Sequence, residues 1–212
     1  MTTLESMRQA IIGGQAVRTR ELTAQALAEG LSPAEVFPGA IVPAMDEVGR
    51  RMRACEFFIP QVLIAARAAR AAMELLRPLL VDSTVLPAAG KVVCCTVQGD
   101  LHDIGKNIVI MMLESAGFGI VDLGTDVAPA QLVEAVRQHH PELVAMSALL
   151  TTTMVNMRSA ITALEAAGLR GSVKIMVGGA LVSQGWADEI GADGYGADAP
   201  AAVALARRLV AH

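Results

Sequence analysis

His102 stands two residues after Asp100 and one before Asp103, in the run Gly99-Asp100-Leu101-His102-Asp103-Ile104-Gly105-Lys106-Asn107. An imidazole coordinates a metal through one ring nitrogen while the other donates to a carboxylate, which fixes the tautomer and raises the basicity of the ligating nitrogen. Asp100 and Asp103 are both near enough in sequence to be that carboxylate. A single histidine is most often an ordinary packed or surface residue, so its position has to raise this one above the background. The run follows the apolar stretch Lys91 to Val97 and precedes a helical pattern, which puts it on a strand-to-helix loop. In doubly wound sheets that loop lies at the carboxyl edge, where ligands bind. A phosphate loop is the competing reading of Gly99 and Gly105-Lys106. That motif has one residue fewer between its glycines, and Asn107 stands where its magnesium-binding hydroxyl belongs, so the reading fails.

The loop needs a sheet to hold it. From Leu4 to about Leu80 the apolar residues recur at helical spacing, as in Ala24, Leu27, Ala28 and Leu31, or Val62, Leu63, Ala66, Ala69, Ala72, Met73 and Leu76. Gly13-Gly14, Gly30 and Ser32-Pro33 punctuate that pattern, the last as a helix start. Helices are expected over 3–12, 15–29, 33–54 with a break near Pro38, and 60–78, forming a small antiparallel bundle within residues 1–82. Residues 83–90 have the composition of a linker. Over 91–212, short apolar runs at 92–97, 119–122, 143–147, 174–177 and 194–195 alternate with helical patterns at 105–116, 129–139, 154–167, 180–189 and 199–210. The expected fold is therefore α/β, a helical bundle followed by a five-stranded parallel sheet with helices on both faces. A Rossmann-type, flavodoxin-like strand order of 2-1-3-4-5 would place a ligand at the switch between strands 1 and 3.

Composition narrows the function classes. A formal net charge of -4 argues against a nucleic-acid partner. Hydrophobic residues make up 53% of the chain but are broken up by charge, and no run reaches the roughly 18 to 20 apolar residues needed to cross a bilayer. The N-terminus, Met1-Thr2-Thr3-Leu4-Glu5-Ser6-Met7-Arg8, is too polar for a secretory signal, so the expected location is the cytoplasm, away from membranes. Cys55, Cys94 and Cys95 give neither a disulfide framework nor a zinc spacing. Cys94 and Cys95 fall in the first strand, where cysteine acts as a small buried hydrophobe.

The pattern Asp-x-His-x-x-Gly, here Asp100 to Gly105, resembles the cobalamin-binding motif of methionine synthase and of the corrinoid methyl-carrier proteins of methyltransferase systems. Ser147-Ala148-Leu149-Leu150-Thr151-Thr152-Thr153-Met154 resembles the Ser-x-Leu segment that lines the cleft for the nucleotide tail of cobalamin. Gly178-Gly179-Ala180 resembles the family's paired glycines, which would let the backbone approach a flat ligand closely. Gly194-Tyr195-Gly196-Ala197-Asp198 resembles the loop that runs along the tail. The resemblance implies cobalamin as cofactor, cycling between methylcobalamin and Co(I) cobalamin. It also implies that dimethylbenzimidazole leaves the cobalt and His102 becomes the lower axial ligand. Asp100 matches the aspartate that holds the histidine, and Thr153 falls where methionine synthase has a serine completing the relay. The implied cofactor-binding set is Gly99, Asp100, Leu101, His102, Asp103, Ile104, Gly105, Ser147, Leu149, Thr151, Thr153, Gly178, Gly179, Ala180, Tyr195, Gly196 and Ala197.

The helical half is similar as well. Val48 to Val62 resembles the cap segment whose apolar side chains cover the upper face of the corrin, with Met52 and Ile59 at the covering positions. Cys55 stands where that segment often has glycine. No acid-base pair or nucleophile is evident in this half, so the resemblance implies a carrier subunit and not a stand-alone enzyme. Its implied partners are a substrate-specific methyltransferase, a second methyltransferase acting on an acceptor such as tetrahydrofolate or a thiol, and a reductive activation protein. Three rivals share parts of the pattern: the cobalamin-binding subunit of an adenosylcobalamin mutase, a cobalamin-based sensor, and a plain flavodoxin-like signalling domain. The cap segment argues against the first, the lack of a basic output module against the second, and His102 against the third.

Overall fold

The structure, a computed structural model, describes residues 1–80 and 89–211. The expected linker at 83–90 lies almost wholly outside the described residues. The chain divides into two compact units, one of N-terminal helices and one built on a sheet.

In the first unit, α1 (Thr3–Ile12) starts with a reciprocal cap, in which Glu5 N–H donates to Thr2 Oγ1 and Thr2 N–H donates to the Glu5 carboxylate. α2 (Ala16–Ala28) packs against α1 and against α5 (Ile59–Leu80). The contact face of α5 is Ala65, Ala66, Ala68, Ala69 and Ala72, all buried, and side chains this small let the helices approach closely. The break expected near Pro38 is not a break. α3 (Pro33–Val36) runs through a π-helical turn, Phe37–Ile41, into α4 (Val42–Arg53). The wider turn absorbs Pro38, which cannot donate to an ordinary helical ladder.

The connection from α4 to α5 is pinned by charge. Arg50 donates to Glu47 at 2.7 Å and to Glu56 at 3.2 Å, Arg51 donates to Glu47 at 2.7 Å, and the Arg51 guanidinium stacks 5.2 Å above the Phe57 ring. Cys55 in this turn has φ +56°, the left-handed region that favours glycine.

The second unit is a five-stranded sheet in the order β2-β1-β3-β4-β5, parallel throughout, as expected. Its elements are β1 (Lys91–Thr96), α6 (Ile104–Ser115), β2 (Gly119–Asp122), α7 (Pro129–His139), β3 (Leu143–Ser147), α8 (Thr151–Ala166), β4 (Lys174–Gly178), α9 (Gln184–Ile190), β5 (Gly194–Gly196) and α10 (Ala199–Val210). Strands 1, 3 and 4 are buried over nearly their whole length, the pattern of a sheet covered on both faces. Cys94 and Cys95 are buried in β1, and burial pushes both thiols up, Cys95 to about 12, so they are packing residues.

Two helix starts differ from expectation. α8 begins at Thr151 and not 154. α9 begins at Gln184 and not 180, because Ser183 Oγ caps it through the Trp186 N–H and residues 179–183 form a turn closed by Val182 N–H to Gly179 O.

Register aligns the strand ends. Thr96 pairs with Ser147, Ser147 with Gly178, and Gly178 with Gly196, one row across the carboxyl edge. Beyond that row Gly179 sits at φ +136°, where an added Cβ would lie 1.9 Å from the Ala148 carbonyl oxygen. Gly179→Ala should therefore lower the unfolding free energy by more than about 2 kcal/mol, measured by urea titration, because both the backbone conformation and the neighbouring backbone reject a side chain. Hydrogen bonds from Arg50 first and Arg51 second hold the Glu47 carboxyl at about 2, below its ordinary 4.5. A group lowered in this way stabilises the fold above its unfolded value and loses the contribution as pH falls through its folded one. The melting temperature of Glu47→Gln should thus fall slightly below that of the parent protein at neutral pH, and the gap should close between pH 4.5 and 2 in circular dichroism melts.

Candidate functional site

Asp100 is the most confined group at the carboxyl edge, with no exposed surface. Oδ1 accepts from the His102 N–H at 3.0 Å and meets His102 Nδ1 at 2.7 Å. Oδ2 accepts from the Leu149 N–H at 2.8 Å, from the Leu150 N–H at 3.4 Å, and from the Thr153 hydroxyl at 2.6 Å. Burial alone would raise the pKa of this carboxyl; the hydrogen bonds of Thr153, Leu149 and His102 outweigh it and hold the group well below the usual carboxylate range. The anion also lies at the N-terminal end of α8, where a helix favours negative charge, accepting the N–H groups of Leu149 and Leu150 just ahead of the helix and the Thr153 hydroxyl in its first turn.

An ionised carboxylate only accepts, so the 2.7 Å contact requires a proton on His102 Nδ1; in the neutral imidazole Nε2 then keeps its lone pair. Thr96 Oγ1 donates to the His102 carbonyl at 3.0 Å and fixes the backbone beneath the ring. The His102 side chain is 52% exposed. Asp103 is not its partner. It caps α6, its carbonyl accepting the Asn107 N–H and its carboxylate accepting Asn107 Nδ2–H. Lys106 is buried and paired with Asp122 at 2.7 Å, which confirms that it is not a phosphate ligand.

The other expected site residues distribute along the same edge. Gly99 (φ +81°) precedes Asp100, and Leu101 and Ile104 flank His102 with 73% and 74% of their surfaces exposed. Gly105 opens onto free space at the start of α6. Ser147 ends β3, half-buried Leu149 lends its N–H to Asp100, Thr151 begins α8 exposed, and Thr153 is buried in its first turn. Gly178 and Gly179 end β4, with Ala180 exposed in the following turn, and half-buried Tyr195 and Gly196 end β5 before exposed Ala197. The glycines are required by protein neighbours: a Cβ at Gly178 would stand 3.1 Å from the Gly196 carbonyl oxygen, and one at Gly196 would stand 2.9 Å from Ala202 Cβ. Met52 is half-buried on α4 and Ile59 is exposed at the start of α5, both in the helical unit.

Two loop anchors escaped the sequence analysis. Asn156 Nδ2 donates to the Gln98 carbonyl at 2.8 Å, and the Gly99 N–H donates to Asp126 Oδ1 at 2.7 Å. A small polar residue one turn into a helix, and an aspartate after Gly124-Thr125 in a turn, were the available signals.

A single exposed imidazole would suit the cobalt of a cobalamin, which brings its own macrocycle, and the exposed Leu101 and Ile104 beside it would suit the apolar surface of a large ring. Among the described residues no three His, Cys, Asp or Glu side chains converge as a metal cage.

Comparison with known proteins agrees. The B12 binding domain family matches residues 90–204, and a second family of the same description matches residues 3–77. Trimethylamine corrinoid protein 2 of Methanosarcina acetivorans is 46% identical over 188 residues, covering 87% of this chain and 85% of the relative. A corrinoid protein of Desulfitobacterium hafniense is 37% identical over 212 residues, covering 99% of this chain and 98% of the relative. Among solved structures, a cobalamin-binding protein of D. hafniense superposes with a TM-score of 0.83 at 33% identity over the whole of both chains. A chain of the methanol:cobalamin methyltransferase complex of Methanosarcina barkeri superposes with a TM-score of 0.86 at 28% identity, covering 98% of this chain and 79% of that one. The chain belongs to the B12-binding corrinoid proteins of methyltransferase systems.

Proposed function

We propose that this protein carries a methyl group between two methyltransferases, with His102 Nε2 as the lower axial ligand of a cobalamin bound base-off. The observation that carries the reading is the relay Thr153–Asp100–His102, which leaves one imidazole nitrogen free and fixed in direction. When bound, cobalamin supplies a cobalt that accepts a methyl group from one substrate and yields it to another. The residues of the chain set the conditions for that exchange. Asp100 stays ionised and holds the proton on His102 Nδ1, which keeps Nε2 a good donor. Thr153 fills the second oxygen of Asp100, so the carboxylate has no reason to turn away from the imidazole.

The strand-end row from Ser147 to Gly196, with Leu149, Thr151, Gly178, Gly179, Ala180, Tyr195 and Ala197 around it, supports a cleft for the displaced nucleotide tail. We assign the upper-face shielding to Met52 and Ile59. The expected partners are a substrate-specific methyltransferase, a second methyltransferase and a reductive activation protein, all in the cytoplasm. A methylated amine is the donor favoured by the relatives, since the one named for trimethylamine is far closer in sequence than the one from the methanol complex.

The visible spectrum of protein loaded with hydroxocobalamin and desalted tests the ligand. The parent protein should give a nitrogen-ligated spectrum and His102→Ala a water-ligated one; identical spectra would remove His102 from the cobalt. Reduction of the loaded protein to Co(I) with titanium(III) citrate, followed by incubation with each candidate methyltransferase and its methylamine, tests the carrier role, since failure of the Co(I) protein to acquire the methyl group from any of them excludes it. The relay has its own test in the cofactor-free protein. Thr153→Val should cost about 1 to 3 kcal/mol in urea unfolding by leaving a buried carboxylate oxygen short of a donor, while Thr153→Ser keeps the hydroxyl and should cost less than half as much.

A further inference from the structure

The loop that carries Asp100 and His102 is gripped from a side the relay does not use. Asp126, in the connection from β2 to α7, accepts the Gly99 N–H through Oδ1 at 2.7 Å and donates its own N–H to the Asp100 carbonyl at 3.0 Å. One residue thus holds both the amide of Gly99, the residue before Asp100, and the carbonyl that leaves Asp100 toward His102. The connection bearing Asp126 is itself fixed to the end of β1. Thr96 N–H donates to Gly124 O at 2.9 Å, and Val127 N–H donates to Thr96 O at 3.1 Å. The clamp is therefore mounted on the same strand whose loop it holds.

Its backbone is unusual. Asp126 has φ +55°, facing Gly99 at φ +81°. Aspartate is among the few side chains that enter this region, and a non-glycine residue held there marks a conformation over-determined by its surroundings. The conformation is what lets the N–H and the carboxylate of one residue point at the same two-residue stretch. The Asp126 side chain is exposed and takes no part in the core, so packing does not account for it.

We propose that Asp126 is a positioning residue for the axial ligand. It fixes the Gly99–Asp100 backbone, and with it the direction in which Asp100 aims His102 Nε2. Thr153, Leu149 and Leu150 hold the Asp100 side chain from the β3 side; Asp126 holds its backbone from the β2 side. Without the Asp126 carboxylate the Gly99 N–H loses its acceptor, and apart from the relay the loop keeps only the Asp126 N–H, Val97, Thr96 and Asn156 bonds, so the aim of the imidazole loosens. The inference rests on His102 being the cobalt ligand.

The full chain loaded with hydroxocobalamin provides the test, read as the ratio of His102-ligated to unligated cobalt in the visible spectrum. A second readout needs no cofactor: the ring nitrogen chemical shifts of His102 in labelled protein. Asp126→Ala should lower the ligation ratio about tenfold, the loss expected from one hydrogen bond to a charged acceptor, and should broaden or shift the ring signals. Asp126→Gly removes the carboxylate while accepting the left-handed backbone, so it carries the same expectation if the alanine variant fails to fold. Asp126→Asn keeps an acceptor oxygen and tolerates the backbone, so it should restore the ratio to within about threefold of the parent. A parental ratio and parental ring shifts in both the alanine and glycine variants would overturn the proposal, as would an asparagine variant no better than alanine. His102→Ala run alongside separates the two layers. If its spectrum matches the parent, the ligand assignment falls; if it differs while Asp126→Gly matches the parent, only the clamp falls.

Discussion

The site depends on one buried charge. Asp100 has no contact with solvent, and a carboxylate in that position is tolerated only if its lone pairs are satisfied. Its donors come from its own loop, from the loop after β3 and from the first turn of α8. The need to satisfy one anion therefore ties the ends of β1 and β3 together at the switch point of the sheet. Because the anion is held ionised, the Nδ1 proton of His102 is determined, and because Nδ1 is engaged, Nε2 is the nitrogen on offer. Tautomer, direction and availability of the ligand all follow from the burial of its neighbour.

The sheet supplies the frame for that charge. Parallel register places Thr96, Ser147, Gly178 and Gly196 side by side, although they span 100 residues of chain. The glycines in that row are demanded by close approach between strand ends and to α10. Their absence of side chains leaves the edge low and lets neighbouring loops close on one another.

The sequence made some of this legible and hid the rest for physical reasons. Alternation of short apolar runs with helical patterns is enforced by burial on both faces, so strand order and the switch point could be read in advance. The motif spacing put His102 and Asp100 on one loop, but it could not choose between Asp100 and Asp103. That choice depends on which carboxylate turns inward to meet the amides of Leu149 and Leu150, some 50 residues away in sequence. The π-helical turn at Phe37–Ile41 was read as a break because proline speaks against a regular helix and carries no mark of the wider winding that accommodates it. Asp126 and Asn156 leave no periodic signal at all, because they act through one or two hydrogen bonds to backbone far from them in sequence.

A cage of several protein ligands would bind a metal firmly and bury it. Here a single imidazole, 52% exposed, stands on a carboxylate with no exposure. Rigidity lies below the ligand and openness lies above it. The free energy that fixes the ring is spent in the sheet, on Asp100 and its donors, so the outer face of the site needs few contacts of its own. The exposed Leu101 and Ile104 then remain as apolar surface beside the imidazole. Anchor and exposed donor are kept apart, which is the arrangement the proposed role of His102 as cobalt ligand requires.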